Sequence, residues 1–199
     1  MIKSSENLKL LGFLFDESPD CNAQVTNLVK RATRRKYLLR RFSKFLPGCD
    51  LKLIYTSLIR SLLEYSAVSY TTQISKFQSN RLENVQKQCL KIMYSYQKSY
   101  EELLEISALE TLESRRKKLF EKFAEKMSEN KNYSAFFPLN NCLRANRCTK
   151  IYKENHAKTD RLYRSPLYSM RRFLNQTPFH DKYNNPLYAD LAHLFNSPF

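Results

Sequence analysis

The chain has 199 residues, of which 42% are hydrophobic and 13% aromatic, enough to bury the core of one domain, or of one domain with a tail. Two glycines and seven prolines exclude a turn-rich all-β fold, whose hairpins need positive-φ positions, and a glycine-rich phosphate cradle as well. A formal net charge of +15 repels itself unless it meets polyanions, so nucleic acid or an anionic membrane surface heads the expected partners. Five cysteines, an odd number with no close pairing, and no apolar leader point to reduced thiols and an intracellular setting, nucleus or cytoplasm. No apolar run approaches the ~20 residues that span a bilayer.

Met1 to Asn7 is polar. Leu8 to Phe15, LKLLGFLF, is apolar on both faces and reads as a short buried strand with no partner strand elsewhere in the chain. Asp20 then caps a helix that ends at Pro47-Gly48. From Cys21 to Leu46 this stretch contains no acid. Val25, Leu28, Val29, Ala32, Leu39, Phe42 and Leu46 recur at spacings of three, four or seven and form the inward face. Lys30, Arg34, Tyr37, Arg41 and Lys44, with Arg40 beside them, form the outward one. Such a face is suited to phosphate, and these six residues are the candidate nucleic-acid-binding set. The apolar face is needed for the bundle, which counts against lying on a membrane.

Asp50 starts a second helix to Tyr70, whose Leu51, Ile54, Leu58, Ile59, Leu62 and Leu63 wrap more than half of its circumference. A third helix spans Ser75 to Tyr94, with Leu82, Val85, Leu90, Ile92 and Met93 inward and Cys89 buried. Ser99 to Glu102 forms a capping box for a short helix, Tyr100 to Ile106. A fourth long helix, Leu109 to Met127, carries Leu112, Leu119, Phe120, Phe123 and Met127 as its stripe. Its Arg115-Arg116-Lys117-Lys118 alternates with Glu113, Glu121 and Glu125 as a salt-bridged surface. After Glu129 the chain is Asn-rich and interrupted by proline. Only Tyr163–Leu174 and Leu187–Phe195 read as local elements. The predicted fold is therefore mainly α: residues 1–18 a strand, 19–129 a helical bundle, 130–199 an irregular tail with short helices.

No catalytic, metal or cofactor site is expected. His156, His180 and His193 lie in the tail, away from Cys49 and Cys89. Cys142 and Cys148 with His156 have the wrong spacing for a zinc knuckle and lack a fourth ligand. Tyr188-Ala189-Asp190-Leu191 falls one carboxylate short of the YADD metal-binding turn of polymerases.

Several ordered motifs resemble the region after the palm in the reverse transcriptases of non-LTR, jockey-like retrotransposons. Leu11-Gly12-Phe13 with Asp16 resembles the post-palm strand. Leu53-Ile54-Tyr55 followed by Ile59 to Tyr65 (IRSLLEY) resembles the "iY…iRsvLEY" helix. Leu82 to Lys87 (LENVQK) through Ile92 resembles the "LE-x-vQ" helix, and Leu109 to Arg116 (LETLESRR) the "tL-x-x-RR" stretch. Arg161 to Asn175 is a weaker match, and Tyr70 and Phe173 stand where the family often has Trp. The resemblance implies a primer-grip-like strand at Leu11, Gly12 and Phe13, and a helical thumb that contacts the backbone of a template–primer duplex. It implies no catalysis by this chain alone, because the palm aspartates are not in it. The expected role is a non-catalytic, thumb-like fragment, with the alternative of an inert or protein-interacting helical remnant. Its partners would be a duplex, and a palm domain or another chain pairing with strand 8–15.

Overall fold

A computed structural model describes residues 7–16, 21–94, 96–139, 151–154 and 156–176. It is mainly α, with one short two-stranded antiparallel sheet near the N-terminus. Two compact units divide the chain between Leu119 and Phe120.

The first unit opens with β1 (Asn7–Leu10) and β2 (Phe13–Asp16), paired from Asn7↔Asp16 to Leu10↔Phe13. Here the expected single buried strand is corrected to a hairpin. Leu11 and Gly12 are its turn, at φ 50° and 84°. Positive φ at both central residues matches the right-handed twist of the strands, so the apolar run folds back on itself. The strand's partner is its own neighbour. Only Phe13 is buried, while Leu8, Leu10, Leu11 and Phe15 stay exposed. Leu14 N donates to Gln24 Oε1 at 3.1 Å, and Tyr65 Oη donates to Leu11 O, fixing the hairpin to the helices.

The basic helix is α1 (Asn22–Phe42). Its N-cap is Cys21, with left-handed backbone and no side-chain cap; Asp20 lies outside the described residues. Val25, Leu28, Ala32 and Leu39 are buried as their spacing predicts, and Phe42, assigned to the same face, is exposed. At 100° per residue Phe42 lies about 60° from Leu39, at the edge of a stripe the core only partly covers.

The expected second helix is four pieces. After α2 (Gly48–Ile54), whose N-cap is Pro47 with Asp50 in the first turn, the chain widens into a π-helical stretch, Tyr55–Arg60. There Ser61 N–H reaches back five residues to Thr56 O. Thr56 and Ser57 hydroxyls bond to carbonyls of the preceding turn, at 3.0 and 2.8 Å, an arrangement that bends helices. Then come α3 (Ser61–Glu64) and, past left-handed Ser66, α4 (Ala67–Tyr70). The bend turns Tyr70 inward, where its hydroxyl donates to Leu63 O at 2.6 Å.

Two capping boxes form, the one expected at Ser99 and another at Ser75. Ser75 with Gln78 opens α5 (Lys76–Met93), and Ser99 with Glu102 opens α6 (Tyr100–Ser107). A Schellman-type end closes α6: Ala108 is left-handed and Leu109 N–H bonds Leu104 O at 3.1 Å. Then α7 (Leu112–Glu129) follows. The core of this unit draws on all these elements, from Phe13 through Leu28, Tyr55, Ile59, Leu82 and Leu90 to Leu103 and Leu112.

A buried polar network fastens α5, α6 and α7. Tyr55 Oη donates to Gln86 Oε1 at 2.6 Å, and Gln86 Nε2 donates to Tyr100 Oη and Glu110 O at 3.0 and 2.9 Å. Tyr100 donates in turn to Glu83. Glu83 also accepts from Leu112 N and Glu113 N at 3.2 and 3.3 Å, a carboxylate at a helix N-terminus. Glu64 pairs with Arg60 and Arg115. Arg116, expected on a solvated surface, is 2% exposed, with Nη2 on Ser79 Oγ at 2.7 Å. It sits at the same helical angle as Leu112 and Phe120, four residues either side, and is drawn in with them.

In the second unit α7 continues through buried Phe120 and Ala124 into a 3₁₀ turn, Lys131–Phe136. Further on are α8 (Asp160–Tyr163) and α9 (Pro166–Gln176), the second matching the element expected over Tyr163–Leu174. Leu139 pairs with Tyr152, and Asn175 brackets Tyr152, accepting from its N–H at 2.9 Å and donating to its carbonyl at 3.1 Å. The elements and motifs expected over 177–199, including Leu187–Phe195 and the Tyr188–Leu191 string, lie outside the described residues.

Candidate nucleic-acid interface

Lys30, Arg34, Tyr37, Arg40 and Arg41 all project from α1 into solvent, and Lys44 follows in the exposed turn after it. Lys30 to Arg41 covers about 17 Å of helix axis, the rise of about five base pairs. None of the five cations has an ion-pair partner among the described residues. Arg40 and Arg41 stand in the last turn, where they also favour the helix dipole. Tyr37 is 61% exposed with Lys36 Nζ 5.9 Å from its ring centroid. An exposed ring backed by a cation is a surface on which a base can stack.

Of the other basic residues of α1, Arg31 is exposed too, and two reach neighbours. Arg35 donates to Leu58 O and Lys36 to Gln88 Oε1. On α5, Arg81 donates to Thr26 Oγ1 at 3.3 Å and lies 6.0 Å from the exposed ring of Phe77. On α5 the cations are diluted by amides, so the helix does not stand out as basic in sequence; its signal is a solvent side without an acid.

Leu11, Gly12 and Phe13 do not join the cations as a second strand-borne site. The first two form the hairpin turn and the third is a core residue. The residues carrying the family resemblance sit mostly in the bundle's interior contacts: Glu64, Glu83, Gln86, Arg115 and Arg116 are all engaged as described above.

Among the described residues, groups with nucleophilic or metal-binding chemistry do not converge. Burial pushes the Cys89 thiol up to about 12, so it is protonated at neutral pH. Cys21 Sγ donates to Gln73 Oε1 at 2.8 Å. His156 is exposed, whereas Cys142, Cys148, His180 and His193 lie outside the described residues. Among the described residues no group of three or more His, Cys, Asp and Glu is placed to hold a metal ion, and no helix is long and apolar enough to cross a membrane.

Compared with protein-family models, with curated proteins and with solved structures, the chain shows no match.

Proposed function

We propose that this protein is a non-catalytic helical module that grips nucleic-acid backbone, independent of sequence, through the outer face of α1. The observation that carries the reading is the line of Lys30, Arg34, Arg40, Arg41 and Lys44, exposed and unpaired by acids among the described residues. Cations held on a rigid helix meet phosphates without losing a prior ion pair. They read no base, so they position rather than specify. The resemblance of the ordered motifs to the thumb region of mobile-element reverse transcriptases supports a template–primer duplex as its partner and a palm domain as its companion.

A second reading is a helical remnant without activity. It is favoured by the engagement of Glu64, Glu83, Gln86, Arg115 and Arg116 in bonds within the bundle, with Gln86 and Arg116 buried: the motif residues hold the bundle, and a bundle can outlast its function.

Titrating a labelled duplex of mixed sequence with the full chain over a range of salt separates the two. The binding reading expects log Kd to change with log salt with a slope of at least about 4 to 5, the share of the five cations on α1 and its following turn. Lys30→Gln, Arg34→Gln, Arg41→Gln and Lys44→Gln together should remove most of that slope. Binding indifferent to salt, or undiminished in the fourfold variant, leaves the remnant reading. Anionic vesicles form the control arm, because Leu38, Phe42 and Phe45 are exposed on the same helix and its following turn.

A further inference from the structure

Two hydrogen bonds between helices set α5 against α1. Thr26 meets Arg81, and ten residues on, Lys36 meets Gln88. The helices therefore run side by side in the same direction. Gly48, beyond the end of α1, agrees: a Cβ there would lie 3.1 Å from the ring of Tyr94, just past the end of α5. One turn beyond the Lys36–Gln88 bond stand Arg40 on α1 and Lys91 on α5.

The solvent side of α5 continues the basic surface. It presents Arg81, Asn84, Gln88 and Lys91, and neither cation has an ion-pair partner among the described residues. The single acid of α5, Glu83, is turned away, to the amides of Leu112 and Glu113. The opposite flank of α1 is unlike this. There Arg31 is exposed, Arg35 reaches Leu58 O, and Leu38, Phe42 and Leu58 are exposed around them. So the positive surface widens towards α5, while on its other side Arg31 stands among exposed apolar residues.

We propose that Arg81 and Lys91 are a second row of phosphate contacts, parallel to the row on α1, so that the two backbones of one bound duplex each lie along one helix. Packed helices stand about 8–10 Å apart, axis to axis. That falls between the widths of the grooves that separate the two backbones of duplex DNA, about 6 and 12 Å. A single strand follows one row only. The proposal rests on the binding function given above and adds residues outside α1 to it.

The test uses the full chain, a 20-base-pair duplex of mixed sequence and one of its strands alone, each titrated across salt by fluorescence anisotropy. Arg81→Gln with Lys91→Gln should lower the slope on the duplex by about 2, close to one for each phosphate lost. On the single strand the same variant should leave the slope unchanged. The charge-keeping pair, Arg81→Lys with Lys91→Arg, should keep the duplex slope, which separates lost charge from a disturbed fold. An unchanged duplex slope in the Gln variant overturns the second row, and so does an equal fall on the single strand. If the fourfold α1 variant binds like the wild type, the underlying function fails and this inference with it.

Discussion

Leu11 and Ala108 hold left-handed backbone at φ 50° and 48° without being glycine. A Cβ in that region costs about 1 kcal/mol, more for a bulky side chain. Leu11 is 86% exposed, so its side chain contributes little packing in return. Leu11→Asn, with the turn chemistry that tolerates this conformation, should stabilise the protein by about 0.5–1 kcal/mol. Ala108→Gly should do the same at the end of α6. Urea denaturation of each variant checks both, and a lower midpoint in either refutes the strain argument for that turn. Gln86 has the opposite character. Fully buried, it serves Tyr55, Tyr100 and the carbonyl of Glu110 together. Gln86→Leu should cost about 1–3 kcal/mol for each partner left unsatisfied, a loss visible in the same measurement.

Among the elements, α1 has two faces with separable duties. Its buried side packs on α5, α3 and the hairpin through Val25, Leu28, Ala32 and Leu39. Leu28→Ala should cost about 2–5 kcal/mol. The fourfold Gln variant of the outer face should shift stability by no more than about 0.5 kcal/mol, because exposed charges without partners contribute little. A thermal melt of both variants beside the binding titration tests the separation: stability should follow Leu28, and duplex affinity the cations. A fourfold variant that unfolds would show the outer face to be structural.

At the scale of the whole molecule, charge and burial set the response to conditions. A net charge of +15 repels itself in the compact state, so added salt should raise the melting temperature while it weakens duplex binding. Alkaline pH should act through buried acids. Burial raises Cys89 and Tyr70 each to about 12, from 9.0 and 10.0, and raises Tyr55 as well. The unfolded chain gives up these protons first. Their contribution is thus complete below about pH 9 and is lost as pH climbs towards 12. Circular dichroism across that window should show unfolding, and Cys89→Ala with Tyr70→Phe should flatten the dependence.

Much of this organisation was legible from local chemistry. The periodicity of α1 and α5, the capping box at Ser99, and the burial of Cys89 needed no more than neighbouring residues, because helix period and N-cap bonding act over three or four positions. Lys30, Arg34, Tyr37, Arg40, Arg41 and Lys44 could be placed outward for the same reason. What escaped depended on partners far away in the chain. The hairpin is held by Tyr65, and Arg116, on the buried stripe of its helix, finds its hydrogen-bond partner in Ser79. The sequence alone determined a mainly helical chain with a basic, acid-free outer face on one helix. Only the tertiary structure decided that α5 lies alongside that face and widens it, since the angular setting of two helices is fixed by side chains some fifty residues apart and by no local rule.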